Sequence, residues 1–285
     1  MIRALALACL CVTLCACSKP AVEAPDNGPA QRVVTFAPNL AEIMFAVGAG
    51  EQLVGVSAWS DFPRAVLDLP AIGDAFSIDQ EQLSLLEPDL LLVWESGMPA
   101  HTVDDLRQRG YRVEPISTRN LEDVAQAMIR IGELTGREPD ARLAARKFVE
   151  ELEALRTQNH EAEPIDVFFQ ISARPLYTIN REHFISEIVS ICGGRSIFDD
   201  LENFAPSVSV ESVLDRNPEV MLAAANAGDG AFDEWSRWPE LAANRYANFF
   251  LLPETIGRGS PRLAAAGRSV CIALDKARSN RTAAE

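Results

Sequence analysis

Histidine is scarce in this chain. Only three occur in 285 residues, His101, His160 and His183, and they lie far apart. That scatter argues against a His-rich metal centre, which needs several imidazoles at ligand spacing. Positive charge is short as well: 26 Lys plus Arg stand against 41 Asp plus Glu, for a net charge of -15. Such a surface repels phosphate backbones and excludes nucleic acid as the expected partner. Nucleophilic catalysis wants Ser or Cys near His, but no G-x-S-x-G elbow occurs and the two distal Cys look committed to a bridge, so no enzyme is expected. No apolar run reaches the roughly 20 residues that span a bilayer as a helix. What is present is an ordinary globular balance, 48% hydrophobic and 24% charged residues. The length allows two domains or one large one.

The basic start Met1-Ile2-Arg3 and the short apolar run Ala4 to Cys15 read as an export signal. Leu14-Cys15-Ala16-Cys17 has the lipobox order of apolar, variable, small, Cys. The thiol takes the diacylglyceryl group, and the small residue admits the peptidase. Residues 1–16 are therefore expected to be a lipoprotein signal peptide, with Cys17 lipidated and the protein anchored by acyl chains. An ordinary Cys-rich signal peptide is the alternative. Residues 17–31 are rich in Pro and Ala and read as a flexible tether. Beyond residue 17 only Cys192 and Cys271 remain of the six Cys. In an oxidising compartment they most simply pair; two separate buried thiols are the other reading.

Strand-like and helical segments alternate from residue 32 onward. Arg32–Phe36, Leu53–Val56, Leu90–Val93 and Tyr111–Ile116 read as strands, with helical patterns after Asn39 and over 120–134. Ala141, Ala145, Phe148, Leu152 and Leu155 then recur at helical spacing, in one amphipathic helix of about 20 residues. A new strand begins at Ile165. The expected organisation is an N-terminal α/β lobe over 32–137, a linking helix over 138–160, a C-terminal α/β lobe over 161–276 and a tail over 277–285. The lobes repeat each other. Ile78-Asp79-Gln80-Glu81 with Pro88-Asp89-Leu90 matches Val208-Ser209-Val210-Glu211 with Pro218-Glu219-Val220 at a constant offset (211 − 81 = 130). A second echo pairs Glu42-Ile43 with Glu187-Ile188 (187 − 42 = 145). Two Rossmann-like α/β lobes joined by one helix place a ligand in the cleft between them and allow little hinge bending.

Several stretches carry a family resemblance. They are Val34-Thr35-Phe36-Ala37-Pro38-Asn39 with Glu42, Gly55 to Pro63 through Ser57-Ala58-Trp59-Ser60-Asp61-Phe62, Glu81 with Pro88-Asp89-Leu90, and Pro175-Leu176-Tyr177-Thr178. Further on come Ile191-Cys192-Gly193-Gly194, Glu211, Trp235 with Trp238-Pro239, and Arg258 with Ser260-Pro261-Arg262. From about 32 to 275 the chain resembles the helical-backbone class of periplasmic solute-binding proteins, and within it the cobalamin binders of ABC importers. The resemblance implies a class III binding fold, an exported, monomeric, lipid-anchored protein, and a bound corrinoid but no catalytic cofactor or metal. It also implies a permease dimer with ATPase subunits as partner, and a Cys192–Cys271 bridge. Ferric-siderophore and haem binders share much of the pattern and are the alternative.

Aromatic side chains suit the broad apolar face of a corrin, so Trp59, Phe76, Trp94, Tyr177 and Phe204 are the expected ligand contacts. For Trp94 core packing is the other reading. The cobalamin binders carry Trp where this chain has Ala75 and Ala205, and Phe76 and Phe204 stand one position away. Arg258 is expected to hydrogen-bond the ligand, or alternatively to pair with Glu254. In the resembled family the matching Glu residues dock on Arg residues of the permease dimer, so the resemblance implies that role for Glu81 and Glu211, one per repeat, and charge-assisted pairing suits it; stabilising a helix N-terminus is the alternative.

Overall fold

The computed structural model of the chain describes residues 28–228 and 230–284. The signal peptide, Cys17 and the tether up to residue 27 lie outside the described residues. Residues 28–31, expected as the end of the tether, are instead held on the N-terminal lobe. The Ala30 N–H donates to the Leu134 carbonyl at 2.7 Å, and Gln52 Nε2 donates to the Ala30 carbonyl at 2.7 Å.

The N-terminal lobe runs β1 (Val33–Thr35), α1 (Pro38–Ala46), β2 (Leu53–Val56), α2 (Gln80–Leu85), β3 (Leu90–Trp94), α3 (Ala100–Gln108), β4 (Val113–Ile116) and α4 (Leu121–Thr135). Helix α5 (Glu138–Gln158) follows. The C-terminal lobe contains β5 (Ile165–Gln170), the short hairpin β6 (Ser172–Ala173) and β7 (Leu176–Tyr177), α6 (Phe184–Ile191), β8 (Gly194–Ser196) and α7 (Val210–Arg216). It closes with β9 (Val220–Ala224), α8 (Ala242–Arg245), β10 (Phe249–Leu252) and α9 (Leu263–Ala284). The two main sheets are wholly parallel, in the orders β2-β1-β3-β4 and β10-β9-β5-β8. Read from the other edge, the second order is β8-β5-β9-β10, so the lobes share one topology. This is the two-lobed α/β architecture with a linking helix that the pattern predicts. Leu90 to Val93 are fully buried, as a parallel strand covered on both faces must be.

The repeat persists in atomic detail. The Asp79 carboxylate caps α2 by accepting from the Gln82 N–H at 2.9 Å, and the Ser209 hydroxyl caps α7 by accepting from the Ser212 N–H at 3.1 Å. Leu83 and Val213 are the buried anchors of these helices. Glu87 and Asn217, each just before a proline, both take left-handed backbone, φ 43° and 45°. Asp89 then accepts the Arg32 N–H ahead of β1 at 3.0 Å, and Glu219 accepts the Asp166 N–H in β5 at 3.0 Å.

Helix α4 ends in a left-handed Gly136, φ 69°. Helix α5 starts two residues later and packs closely on α4, because a Cβ at Gly132 would collide with that of Ala141. The buried face of α5 is Ala141, Ala145, Phe148, Leu152 and Leu155. One core cluster runs through both lobes and includes this face, while each lobe keeps a separate cluster on the far side of its sheet. Residues 277–284 are no separate tail, contrary to expectation: they complete α9. Ala277 is fully buried, Arg278 Nη2 donates to the Cys192 carbonyl at 2.7 Å, and Arg281 pairs with Glu219 at 2.8 Å. Those ties keep a polar sequence helical to its end.

Candidate functional site

The six residues expected to contact ligand all follow the carboxyl ends of parallel strands. Trp59 and Phe76 lie between β2 and α2, Trp94 ends β3, and Tyr177 lies between β5 and α6. Phe204 lies between β8 and α7, and Arg258 follows β10. Open α/β sheets bind ligands outside those ends.

The six differ in presentation. Trp59 and Phe76 are each 83% exposed. Trp59 also takes φ 67°, a left-handed conformation that costs a side-chain-bearing residue about 1–2 kcal/mol. Tyr177 is partly exposed and bridges Ser207 across an antiparallel contact. Phe204 is half-buried, stacked on His183 at 4.4 Å with the Arg119 guanidinium 4.8 Å from its ring centre. Trp94 is half-buried against the shared core, and its indole Nε1 is buried without a hydrogen-bond partner.

Arg258 is engaged by the other lobe. Its Nη1 donates to Glu42 Oε1 at 3.0 Å, both of its terminal nitrogens donate to Asp61, and Glu254 is 3.7 Å away. Arg262 Nε donates to Glu42 Oε2 at 3.0 Å, and its guanidinium lies 4.0 Å from the Phe62 ring centre. The Glu42 side chain is 2% exposed. Burial alone would disfavour such a carboxylate; two guanidiniums offset that. The hydrogen bonds from Arg258 hold the Asp61 carboxyl below its ordinary range, and chiefly that same Asp61 contact raises the Arg258 pKa. Asn39 Nδ2 adds bonds to Thr118 Oγ1 at 3.2 Å and, across the lobe boundary, to the Gly259 carbonyl at 3.4 Å.

The lobes touch a second time around Arg119. Its carbonyl accepts the Phe184 N–H at 2.9 Å, its guanidinium meets Glu182 at 3.4 Å, and Glu187 accepts the Leu121 N–H at 3.2 Å. Burial pushes the Glu187 carboxyl up. His183 caps α6, Nδ1 accepting from the Ile185 N–H at 3.1 Å. Burial, helped by the positive charge of Arg119, pushes its pKa from 6.5 down to about 3. The unfolded chain therefore binds a proton that the folded one refuses between those values. The stability His183 contributes is complete above about pH 6.5 and drains away as pH falls, by up to about 1.4 kcal/mol per unit. Between pH 7 and pH 5, wild type should lose about 2 kcal/mol more than His183→Asn, which keeps a capping side chain. Guanidinium unfolding at the two pH values checks this, and equal losses would refute it.

Glu81 and Glu211 are exposed and occupy the second position of α2 and α7, each two residues after its cap. Its own backbone N–H and the Ser209 hydroxyl hold the Glu211 carboxyl below the usual range. Cys192 and Cys271 form a disulfide joining the end of α6 to α9. A concavity of about 480 Å³ on the flank of the C-terminal lobe, lined by Arg156, Arg181, Glu187 and Asp199 among others, contains none of the expected ligand residues. Among the described residues no group of three His, Cys, Asp or Glu is placed to hold a metal, and no helix is long and apolar enough to cross a membrane.

Sequence reasoning gave no role to Glu42, Asp61, Phe62, Arg119, His183 or Arg262. Four of them lie inside the stretches that carry the resemblance, which was the available signal; Arg119 and His183 had none.

Known proteins resemble the chain along nearly all of it. Residues 33–254 match the family described as periplasmic binding protein. The vitamin B12-binding protein of Vibrio cholerae serotype O1 is 34% identical over 249 residues, 86% of this chain and 90% of that one. The crystal structure of the periplasmic vitamin B12 binding protein BtuF of Vibrio cholerae superposes with a TM-score of 0.78 at 33% identity, covering 88% of this chain and 98% of that one. The periplasmic heme-binding protein RhuT from Roseiflexus sp. RS-1 shares the fold at a TM-score of 0.76 and 22% identity, over 88% of this chain and 100% of that one. With both lobes and the linking helix inside these matches, the chain belongs to the periplasmic binding protein family.

Proposed function

We propose that this protein captures cobalamin between its lobes and delivers it to the permease of an ABC importer. The observation that carries this reading is the 34% identity to a vitamin B12-binding protein across 90% of that protein's length. The aromatic side chains at the carboxyl ends of both sheets support it. Trp59, Phe76, Tyr177 and Phe204 offer flat apolar area at low entropic cost to a macrocycle with an apolar face. Arg258, tied into its ion cluster, offers its remaining N–H groups to polar edges of the ligand, and Trp94 backs the site from the core. The protein acts in the periplasm as a monomer, held to a membrane through Cys17. It does no covalent chemistry.

Titration calorimetry of cyanocobalamin into oxidised, soluble residues 24–285 tests the ligand. One-site binding of submicromolar strength is expected. No heat at tens of micromolar would overturn cobalamin and direct the search to ferric siderophores and haem. Docking has its own test. Glu81→Ala and Glu211→Ala should each weaken binding to the reconstituted permease about tenfold, as loss of a hydrogen bond to a charged group does. Cyanocobalamin affinity should stay at the wild-type value in both. Loss of ligand affinity with docking intact would reverse the assignment.

A further inference from the structure

We propose that Arg258 and Arg262 of the C-terminal lobe are positioning residues for the Trp59 loop of the N-terminal lobe, with Glu42 and Asp61 as the carboxylates that complete the clamp. The inference rests on the reading of Trp59 as a ligand contact. Trp59 is an exposed indole in left-handed backbone, and such a conformation persists only where its surroundings hold it. Within its own lobe the loop has few ties. Ser57 and Ser60 close a turn, with the Ser60 N–H donating to the Ser57 carbonyl at 3.3 Å and the two hydroxyls 3.2 Å apart; the Ala58 N–H donates to the Gly73 carbonyl at 2.6 Å.

Past that Ser57–Ser60 turn, at Asp61 and Phe62, the side-chain ties come from the other lobe. Asp61 receives both terminal nitrogens of Arg258, and the Phe62 ring lies under the guanidinium of Arg262. A bidentate Arg–carboxylate pair fixes direction as well as distance. Those guanidiniums are themselves fixed by the buried Glu42 on α1, through two contacts of 3.0 Å. The geometry therefore runs from α1 through Glu42 to the two arginines, and from them back to Asp61 and Phe62, which flank Trp59 on its C-terminal side. The indole stands where the opposite lobe places it, so ligand contact by Trp59 depends on the registration of the two lobes.

The test is a double-mutant cycle in the full mature protein, with cyanocobalamin as probe and hydrogen exchange of residues 57–63 read without ligand. Asp61→Asn keeps shape and removes the charge; Asp61 is 47% exposed, so the variant is expected to fold. It should weaken binding about tenfold and speed exchange in 57–63. Asp61→Glu should restore part of both. Phe62→Leu, which removes the ring under Arg262 by a different route, should speed exchange as well. In a Trp59→Ala background, Asp61→Asn should cost clearly less affinity than it does in wild type, because most of its effect passes through the indole and only the part carried by the ligand contact of Arg258 remains. A full tenfold loss persisting in that background would overturn the proposal by showing that the cluster acts on ligand without the indole. Unchanged exchange in 57–63 would overturn it too. If Trp59→Ala binds as wild type, the reading of Trp59 fails and the inference with it; the ligand-free exchange data distinguish that failure from failure of the clamp.

Discussion

Replacing Cys192 and Cys271 together by alanine is expected to lower stability by about 4–5 kcal/mol. The bridge spans a sequence separation of 79 residues. In the loop-entropy account, opening a loop of that size restores about 15 cal/mol/K to the unfolded chain, which gives the figure quoted at 25 °C. The loop contains β8, α7, β9, α8 and β10, so the bridge ties down most of the C-terminal sheet. Both sulfurs are buried, between the end of α6 and the α9 face that packs on α5. Because one core cluster runs through both lobes, the loss should appear as a shift of the main unfolding transition and not as a separate melting of one lobe. Denaturant unfolding of wild type and the double variant, both under oxidising conditions, measures it. A difference under about 1 kcal/mol would mean that the unfolded C-terminal lobe keeps structure that already pays the closure entropy.

The architecture was legible because the sequence writes it twice. A run of four apolar residues after Pro-Asp or Pro-Glu is typical of a buried parallel strand at this length, and its recurrence 130 positions on (222 − 92 = 130) marks equivalent places in two sheets. The linking helix was legible from the spacing of Ala141, Ala145, Phe148, Leu152 and Leu155, which are the residues it buries. The cross-lobe cluster left no such mark. Glu42 and Arg258 are 216 positions apart, and nothing local to either names the other. Arg258 and Glu254 have the i,i+4 spacing that suggests a pair, yet that contact is the long one at 3.7 Å; tertiary placement of Asp61 and Glu42 outweighs helix-like proximity. His183 was silent for a related reason. A histidine buried by a ring from one side and capped onto a helix has no sequence signature. The last turns of α9 were missed because their polar side chains are satisfied at long range, by Cys192, Glu163 and Glu219.

Glu42→Ala is expected to cost about 3–5 kcal/mol, far beyond the 0.2–1 kcal/mol of an exposed ion pair. The side chain is 2% exposed, and its loss strands the guanidinium of Arg262, 27% exposed, and takes one of its partners from Arg258, 19% exposed. Asp61 and Glu254 remain for Arg258, whereas among the described residues no other carboxylate pairs with Arg262, so water reaching its exposed edge sets where in the range the cost falls. Glu42→Gln separates charge from packing, since it fills the same volume: a loss close to that of the alanine variant assigns the effect to the ion cluster, and near wild-type stability assigns it to the cavity. The second repeat supplies a comparison within the same molecule. Glu187 holds the equivalent place on α6, but it accepts one backbone N–H at 3.2 Å, and its burial raises its pKa. Glu187→Ala should therefore cost about 1 kcal/mol, the value of a single hydrogen bond. Denaturant unfolding of all three variants orders them. Equal costs at 42 and 187 would mean that helix position, and not the arginines, makes the carboxylate stabilising.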